Sequence, residues 1–266
     1  MTSRGGDGID ITRPSVARVY DALLGGTDNY PADRAEAAKL TDPRDGHPGL
    51  GRVAQENRRF LSTAVTKLAG GQYGAAVSQF IDAGAGLPTR PSVHEAARAV
   101  NPAARVAYVD RDPEVVTSIR HRLAVDSGIA AVSGDITDPA AVLADPALRK
   151  VISLARPVCV ILAAVLHFMD SGRAAQVTAG WMAPLVPGSW AVISVAHFAD
   201  EALAARIRAK YAAADWHNHG PDDLRAFAAA AGLELLGEPA DVRCWPIAPP
   251  PAARDGYALG AVGVKR

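Results

Sequence analysis

Cysteine is scarce in this sequence, which has only two cysteines in 266 residues. Cys159 and Cys244 lie far apart, and neither belongs to a C-x-x-C pair or to a histidine cluster at zinc-ligand spacing. A disulfide framework or a structural zinc site needs several such residues at short, regular spacing. We therefore expect no bound metal and two reduced, mostly buried thiols.

An excess of either charge is also missing, because 28 Lys and Arg residues balance 28 Asp and Glu residues. Without net positive charge, no overall electrostatic attraction draws the chain toward nucleic acid or anionic membranes. The N-terminus lacks the apolar core of a signal peptide, and no apolar run approaches the roughly 18 residues of a membrane span. We expect a cytoplasmic protein with no nucleic-acid or membrane partner, and the sequence carries no signal for an oligomeric state.

Several motifs of common enzyme classes are absent as well. The chain has no G-x-x-x-x-G-K-[ST] phosphate loop, no Tyr-x-x-x-Lys pair of short-chain dehydrogenases, no G-x-S-x-G elbow and no complete H-E-x-x-H helix. These absences argue against hydrolases and against oxidoreductases of that type. His94, in "HEAAR", supplies only the first half of the zinc motif and is expected to be an ordinary helix residue.

Three helical segments are predicted before the first strand. Residues 1 to 13 are rich in Gly and Asp without periodicity and are expected to form a flexible tail. In "PSVARVYDALLGG", apolar residues recur at helical spacing from Pro14 until Gly25 and Gly26 end the helix. The stretches "DNYPADRAEAAKL" and "GRVAQENRRFLSTAVTKLAG" predict two more helices, so residues 14 to 71 form a helical extension.

From residue 72 onward, short apolar runs alternate with helical segments. Helices are predicted within 92–100, 113–124, 138–148 and 171–184. Repeated strand and helix units predict a parallel sheet with helices on both faces, and consecutive apolar residues such as "VCVILAAVL" suit strands buried on both faces. The predicted strands are "AVSQFIDA" (76–83), "ARVAYVD" (104–110), "IAAVSGD" (129–135), "PVCVILAAVLH" (157–167), "SWAVISVA" (189–196), "LELLGE" (233–238) and "YALGAVGV" (257–264).

The last two of these seven strands break the alternation, because the proline-rich link "CWPIAPPPAARDG" joins them in place of a helix. This link predicts an antiparallel hairpin at the sheet edge. Five parallel units followed by such a hairpin are typical of Rossmann-like methyltransferases. Dinucleotide dehydrogenases more often continue with a parallel sixth strand.

The stretch "FIDAGAGLPT" predicts a tight loop after the first strand. Gly84 and Gly86 allow the backbone to turn sharply and to approach a ligand, and free N–H groups at the start of the next helix can receive an anionic group. The third glycine of the dinucleotide fingerprint would stand at position 89, which is Thr89 here. Taken alone, the G-x-G spacing fits both a ligand loop and an ordinary strand-to-helix turn.

Acidic residues follow the next two strands. Asp110 ends the second strand where an acid that binds both ribose hydroxyls belongs. Asp112 suits the N-cap of the helix that starts at Pro113, and Asp135 suits either an adenine amino group or a simple turn. Because the carboxyl ends of parallel strands meet at one edge of a sheet, these acids are expected to converge on one crevice.

The chain resembles the class I S-adenosylmethionine-dependent methyltransferases. Within them it is similar to an actinobacterial S-adenosyl methyltransferase family formerly catalogued as a domain of unknown function. The resemblance runs from Pro14 to the C-terminus and rests on "ARVYDALLGGTDNYPADR", "ENRRFL", "FIDAGAGLPTRPSVHE", "VAYVDRDPEVV", "AAVLHFMD" and "PGSWAVIS", with "RVYDALLGGTDNY" the most specific block. It implies an α/β, Rossmann-like class I methyltransferase fold with a mostly parallel seven-stranded sheet, helices on both faces, a C-terminal antiparallel hairpin and an N-terminal helical extension. Residues 72–266 would form the cofactor-binding domain.

The resemblance also implies a site for S-adenosylmethionine, with S-adenosylhomocysteine as its product. The N-terminal extension would fold over the mouth of the site as a lid. Many family members have "GTG" where this chain has Gly84, Ala85 and Gly86, so one side-chain hydrogen bond is lost while the turn is kept. The implied cofactor residues are Asp82, Gly84, Ala85 and Gly86 around the methionine part, Asp110 at the ribose, Arg111, Asp112, Gly134, Asp135 and Ile136 around the adenine, Ala163 and Ala164 beneath the sulfonium, and Arg18, Tyr20, Gly25 and Asn29 in the lid.

His167 and Tyr20 are the candidate catalytic residues. A neutral imidazole just beyond the fourth strand can take a proton from an acceptor hydroxyl or amine, although a histidine there is equally suited to a structural hydrogen bond. Arg58 is expected to be a helix-surface arginine paired with Glu56 or solvent, with the cofactor carboxylate as the alternative partner. Asp170, His197 and "WHNHG" (216–220) are further pocket candidates.

The function predicted is therefore methyl transfer from S-adenosylmethionine to a small molecule. The donor is already activated, so the protein has chiefly to align the acceptor and exclude water, and no strong catalytic constellation is required. The alternative is a sensor or regulator that binds the cofactor without turnover. An NAD-dependent oxidoreductase is disfavoured by the terminal hairpin and by the missing Tyr/Lys pair.

Overall fold

The computed structural model describes residues 10–42, 49–124, 126–245 and 255–266. Most of the predicted flexible tail, residues 1–9, and most of the proline-rich link, residues 246–254, lie outside the described residues. The three predicted N-terminal helices are present as α1 (Val16–Leu23), α2 (Pro31–Lys39) and α3 (Leu50–Ala69). Ser15 caps α1 by accepting a hydrogen bond from the Arg18 N–H, and Pro31 opens α2.

The strands form one mixed sheet, which confirms the predicted fold class. Five strands run parallel in the order β3-β2-β1-β4-β5, and the last strand then pairs antiparallel with both β5 and β6. The sequence predicted seven strands, and the eighth is the two-residue β7, which pairs with β8. The strands are β1 (Gln79–Ala83), β2 (Arg105–Asp110), β3 (Ile129–Ser133), β4 (Cys159–Ala163), β5 (Trp190–His197), β6 (Leu233–Leu235), β7 (Ala240–Asp241) and β8 (Tyr257–Lys265).

Helices cover both faces of the sheet, as predicted. The segment 138–148 differs from its prediction because it breaks into two helices at Asp145 and Pro146, where the residue before a proline is driven into extended backbone. Two helices that follow β5 were not predicted individually. The helices of this part of the chain are α4 (Val93–Arg98), α5 (Pro113–Arg122), α6 (Pro139–Ala144), α7 (Pro146–Val151), α8 (Ser171–Met182), α9 (Glu201–Lys210) and α10 (Pro221–Ala230).

Each face of the sheet has its own apolar core. One core joins the sheet to α1–α5 and α9, and it includes the fully buried Val19 and Leu40 of the N-terminal extension. The other core joins the sheet to α6, α7, α8 and α10 around Trp181 and Phe227. The extension therefore shares its core with the sheet. No helix in the described ranges combines the length and the apolar character needed to cross a membrane.

Ion pairs attach the N-terminal extension to α5. The buried guanidinium of Arg18 lies 2.8 Å from Asp33 of α2 and 2.7 Å from Glu114 at the start of α5. A second pair joins Asp28, in the loop before α2, to Arg122 at the end of α5. Since α5 begins just after the acids that end β2, these pairs fix the position of the extension relative to the carboxyl edge of the sheet.

Candidate functional site

A cavity of about 520 Å³ opens at the carboxyl edge of the sheet, within the range of roughly 300–1,000 Å³ typical of small-molecule sites. The ends of β1 to β5 form its floor. Helices α1 and α3 of the N-terminal extension, together with α9 and the segment after it, form its walls. The sequence predicted a crevice at this edge, and the cavity lies there.

The glycine loop after β1 has the geometry of a ligand cradle. Gly84 and Gly86 have φ angles of +79° and +64°, which L-residues with a side chain rarely adopt. A Cβ on Gly84 would meet Val165 Cγ1 at 2.5 Å, whereas a Cβ on Gly86 would have no atom within 4 Å. The N–H groups of Gly84 and Ala85 both donate to the carbonyl oxygen of Val109, which holds the loop against the end of β2.

Asp110 connects this loop to the next one. Its Oδ2 accepts a hydrogen bond from the Gly86 N–H at 2.9 Å, and its Oδ1 accepts one from the Asp112 N–H at 2.9 Å. Burial raises the pKa of Asp110, although these backbone hydrogen bonds act against the rise. Each carboxylate oxygen keeps a lone pair for a further donor, as a pair of ribose hydroxyls would require.

Asp112 and Asp135 border the cavity beyond Asp110. Asp112 caps α5 by accepting from the Glu114 N–H, as predicted, and it also lines the cavity. Burial raises the pKa of Asp135, but the hydrogen bond from the Thr137 N–H and the nearby Arg111 outweigh it, so that this pKa is lowered overall. Gly134, Asp135, Ile136 and Arg111 line the same side of the cavity.

Asp82 and Arg58 form the most unusual electrostatic environment of the site. Asp82 is buried at the end of β1, where it lines the cavity, and no described group donates a hydrogen bond to its carboxylate. Burial raises its pKa to about 7, even though the nearby Arg58 guanidinium lowers it. The Nη2 of Arg58 donates to the carbonyl oxygens of Thr89 and Pro91, at 3.3 and 2.9 Å, while its buried Nε has no partner.

The expectation for Arg58, a helix-surface residue paired with Glu56 or solvent, is therefore wrong. Glu56 is buried and lies 3.3 Å from Arg52 instead. Arg58 lines the cavity beside Asp82, because α3 presents successive residues to different sides and position 58 faces the sheet edge. The exposed neighbour Arg59 has the surface position that was expected for Arg58.

His167 lies at the turn after β4, in the short 3-10 segment Leu166–Phe168. The backbone N–H of Ala196 donates to its Nδ1 at 3.3 Å, so the neutral ring carries its proton on Nε2. Burial, with a smaller contribution from His219, lowers the pKa of His167 to about 3. An imidazole in this state is a hydrogen-bond donor at Nε2 and does not suit the role of general base that the sequence suggested.

Tyr20 lines the cavity from α1. Its hydroxyl oxygen accepts a hydrogen bond from Asn57 Nδ2 at 3.2 Å, and the hydroxyl donates to the carbonyl oxygen of Ala54 at 3.5 Å. Burial raises its pKa, so the phenol stays protonated at neutral pH. The predicted catalytic pair is thus brought into one cavity, but both side chains are better donors than bases.

Ala163 and Ala164 also line the cavity, at the end of β4. Ala164 has a φ of +57°, which is costly for a residue with a Cβ, and its N–H donates to the carbonyl oxygen of Ser194. Such strained backbone tends to cluster at functional sites. This alanine is held in the left-handed region where the chain turns beneath the cavity.

Three predicted lid contacts do not line the cavity. The guanidinium of Arg18 is taken up by Asp33 and Glu114, which accounts for its burial. Asn29 Nδ2 donates to Asp21 Oδ2 and to the Gly26 carbonyl oxygen, and so organises the loop after α1. Gly25 lies in that loop with a φ of +79°. These residues shape the extension, and Tyr20 is the predicted lid residue that reaches the cavity.

Of the other pocket candidates, some line the cavity and others lie behind its wall. Trp216 lines the cavity, whereas His219 lies behind it, where Nε2 bonds to the carbonyl oxygens of Leu166 and Met169. Asp170 caps α8, and His197 Nδ1 bonds to the His219 carbonyl oxygen. His94, as predicted, is a helix residue, and it bonds to the Tyr108 hydroxyl.

Sequence reasoning missed the apolar residues on the far side of the cavity. Leu50 and Val53 come from α3, Ile207 and Tyr211 come from the α9 region, and Phe168 follows His167. Helical periodicity alone marks such residues as core, because nothing in it distinguishes a core position from a cavity wall. Phe168, an aromatic residue next to the candidate His167, was the one feature of the sequence that could have indicated this part of the cavity wall.

Comparison with known proteins identifies the family. A family model described as "S-adenosyl methyltransferase" matches residues 2–245 of the chain. The chain belongs to this S-adenosyl methyltransferase family. Family membership and fold together make it an S-adenosylmethionine-dependent methyltransferase. Among curated proteins, none matches the chain.

Solved structures agree with membership of the S-adenosyl methyltransferase family. A candidate methyltransferase from Thermobifida fusca is 34% identical, with a TM-score of 0.83 and coverage of 97% of each chain. A DUF574 family protein from Streptomyces avermitilis is 32% identical, with a TM-score of 0.85, over 97% of this chain and 99% of that one. Human N-acetylserotonin methyltransferase, in a complex with S-adenosylmethionine, shares the fold at 14% identity and a TM-score of 0.51, over 96% of this chain and 63% of its own.

Proposed function

We propose that this protein binds S-adenosylmethionine at the ends of β1 to β3 and transfers its methyl group to a small molecule bound beside β4 and β5. The observation that carries the proposal is one cavity with two kinds of lining. Acids and glycines suited to a nucleoside line one part of it, and uncharged residues beside β4 and β5 line the rest. A location in the cytoplasm stays a prediction from the sequence.

The residues at the strand ends fit the chemistry of the cofactor. Within the described residues no group donates a hydrogen bond to the Asp82 carboxylate, and the buried Nε of Arg58 has no acceptor. An amino acid group carries one ammonium and one carboxylate, which would satisfy these two side chains together. Asp110 would accept from the ribose hydroxyls, and Asp112 and Asp135 would border the adenine. Gly86 leaves room for a ligand to lie close to the loop backbone.

The donor supplies a methyl group already activated on a positively charged sulfur, so the protein has to align the acceptor and exclude water. Helices α1 and α3 cover the cavity with Tyr20, Leu23 and Leu50 and so limit access of water. His167 would donate from Nε2 to one lone pair of the acceptor atom and so orient another lone pair toward the methyl group. Because neither His167 nor Tyr20 suits a base, the methylated product would lose its proton to solvent as it leaves the cavity.

Isothermal titration calorimetry tests the cofactor assignment. S-adenosylmethionine and S-adenosylhomocysteine should both bind, and NAD should not. Binding of NAD, with no binding of either sulfur compound, would overturn the proposal. The rival function, a regulator that binds the cofactor without turnover, draws on the observation that neither His167 nor Tyr20 suits a base. It would be supported if the cofactor binds but labelled S-adenosylmethionine never yields a methylated product with small-molecule extracts.

A further inference from the structure

Charge divides the cavity into two sides. The formally charged residues that line it are Arg58, Asp82, Asp110, Arg111, Asp112 and Asp135, all at the ends of β1, β2 and β3 or on the face of α3 beside them. On the side of β4, β5 and β8, no described lining residue carries a formal charge, because the lowered pKa of His167 keeps it neutral. We call this second part the uncharged side.

Aromatic rings follow one another along the uncharged side. The rings of Phe168 and Tyr211 are stacked, with centroids 5.8 Å apart and planes inclined by 29°. His167 meets Phe168 edge-on at 4.3 Å and lies 6.4 Å from Trp216. These four residues, which we call the aromatic wall, all line the cavity, and they come from the turn after β4 and from the segment that follows α9. Flat rings add stacking and edge contacts beyond simple apolar burial.

The polar groups near the aromatic wall are neutral. His167 has a neutral ring that offers its Nε2 proton, whereas the Tyr20 hydroxyl and its partner Asn57 lie beside Arg58 and Asp82. A neutral polar group can be satisfied here by one or two hydrogen bonds. A charged group would lose its water on this side of the cavity without meeting an opposite charge, which is strongly unfavourable.

We propose that the methyl acceptor is an uncharged, flat aromatic small molecule whose ring lies against the aromatic wall. This inference rests on the proposed function, because it takes the charged side of the same cavity as the cofactor site. The acceptor atom would take the hydrogen bond from His167 Nε2.

Three probe molecules of similar size separate the alternatives. In the presence of saturating S-adenosylhomocysteine, affinity is measured by ligand-detected NMR for 2-naphthol, for its saturated counterpart decahydro-2-naphthol and for the anion 2-naphthoate. We expect 2-naphthol to bind about tenfold more tightly than either of the others. Equal or tighter binding of the saturated or the charged probe, or no binding of any of the three, would overturn the inference.

Variants of the aromatic wall provide the control. Tyr211→Leu should weaken 2-naphthol binding about fivefold, whereas Tyr211→Phe, which keeps the ring, should not. Tyr73→Leu makes the same change outside the cavity, where Tyr73 packs on Trp190 and Trp245, and should leave 2-naphthol binding unchanged. Equal affinity in Tyr211→Leu and wild type would contradict the inference.

Measuring the affinity of the same samples for S-adenosylhomocysteine distinguishes failure of the proposed function from failure of the inference about the acceptor. If S-adenosylhomocysteine does not bind to the wild-type protein, the proposed function fails. If it binds normally and the probes show no preference for the neutral aromatic molecule, only the inference about the acceptor fails.

Discussion

The two sides of the cavity differ in how they are built. The charged side consists mainly of residues at the ends of three adjacent parallel strands, which the sheet order brings together, and Arg58 of α3 joins them. The uncharged side gathers residues from β5, β8, the turn after β4 and the segment after α9, which are far apart in the chain. The proposed cofactor site is thus set mainly by topology, whereas the proposed acceptor site depends on tertiary packing. The experiments below test whether the two sides act independently.

The largest effect is expected for Asp110→Ala. This change removes the acceptor for two backbone N–H groups and the proposed partner of the ribose, and hydrogen bonds to a charged group each contribute about 1.5–3 kcal/mol. Affinity for S-adenosylhomocysteine should fall about a thousandfold in titration calorimetry. Asp145→Ala, which removes the cap of α7, should cost about 1 kcal/mol of stability and leave affinity unchanged. Unchanged affinity in Asp110→Ala would place the cofactor elsewhere.

Asp82→Asn should change how the stability of the ligand-free protein depends on pH. Burial raises the pKa of Asp82 from an ordinary 3.8 to about 7. Between these values the folded chain keeps a proton that the unfolded chain has lost, so the free energy of unfolding falls as pH rises through this window and levels off above it. Asparagine removes this slope and should stabilise the protein at pH 8 by about 4 kcal/mol. Urea unfolding of the wild type and the variant at pH 5 and pH 8 measures the free energy of unfolding. If this free energy changes equally with pH in both proteins, the raised pKa of Asp82 is contradicted.

Arg58→Gln should weaken cofactor binding about tenfold, because it removes a positive charge and the charge-assisted hydrogen bond that we propose for the cofactor carboxylate. Arg59→Gln is the matched control on the same helix, since Arg59 is exposed and does not line the cavity. Titration calorimetry of the two variants with S-adenosylhomocysteine gives the comparison. Equal affinities would mean that Arg58 only tethers the Thr89 and Pro91 segment.

The smallest effect on the cofactor is expected for Phe168→Leu, a change confined to the uncharged side. The dissociation constant of S-adenosylhomocysteine should stay within about twofold of wild type, because the lost contacts are with Tyr211 and His167. The same calorimetric titration measures it. A tenfold loss of cofactor affinity would show that the two sides are coupled and would break the distinction between them.

The sheet and the charged side could be predicted largely from the sequence. The apolar runs and the turn residues that end them mark the parallel strands in the sequence. Because the ends of parallel strands converge, Gly84, Asp110 and Asp135 were expected to lie close together. The pairing of β8 with β5 was not specified by the hairpin prediction, because which edge a terminal strand joins is decided by long-range packing. The break between α6 and α7 was missed although Pro146 signals it.

The lid and the uncharged side were predicted less well. Arg18 and Asn29 belong to a conspicuous block of the sequence, yet their side chains bond within the protein at Glu114 and Asp21. A charged or polar side chain in a motif suits a structural ion pair as well as a ligand, and the sequence does not separate the two. His167 was located correctly, but the state of its ring depends on the Ala196 N–H, which only the fold brings to it.

A crystal structure of the complex with S-adenosylhomocysteine is the most direct test of whether the charged side binds the cofactor and the uncharged side the acceptor. The ribose hydroxyls should contact Asp110, and the amino acid end should lie between Asp82 and Arg58. The space along Phe168, Tyr211 and Trp216 should stay free for an acceptor. A ligand that fills the space along the aromatic wall, or that leaves Asp82 and Asp110 without contact, would contradict it.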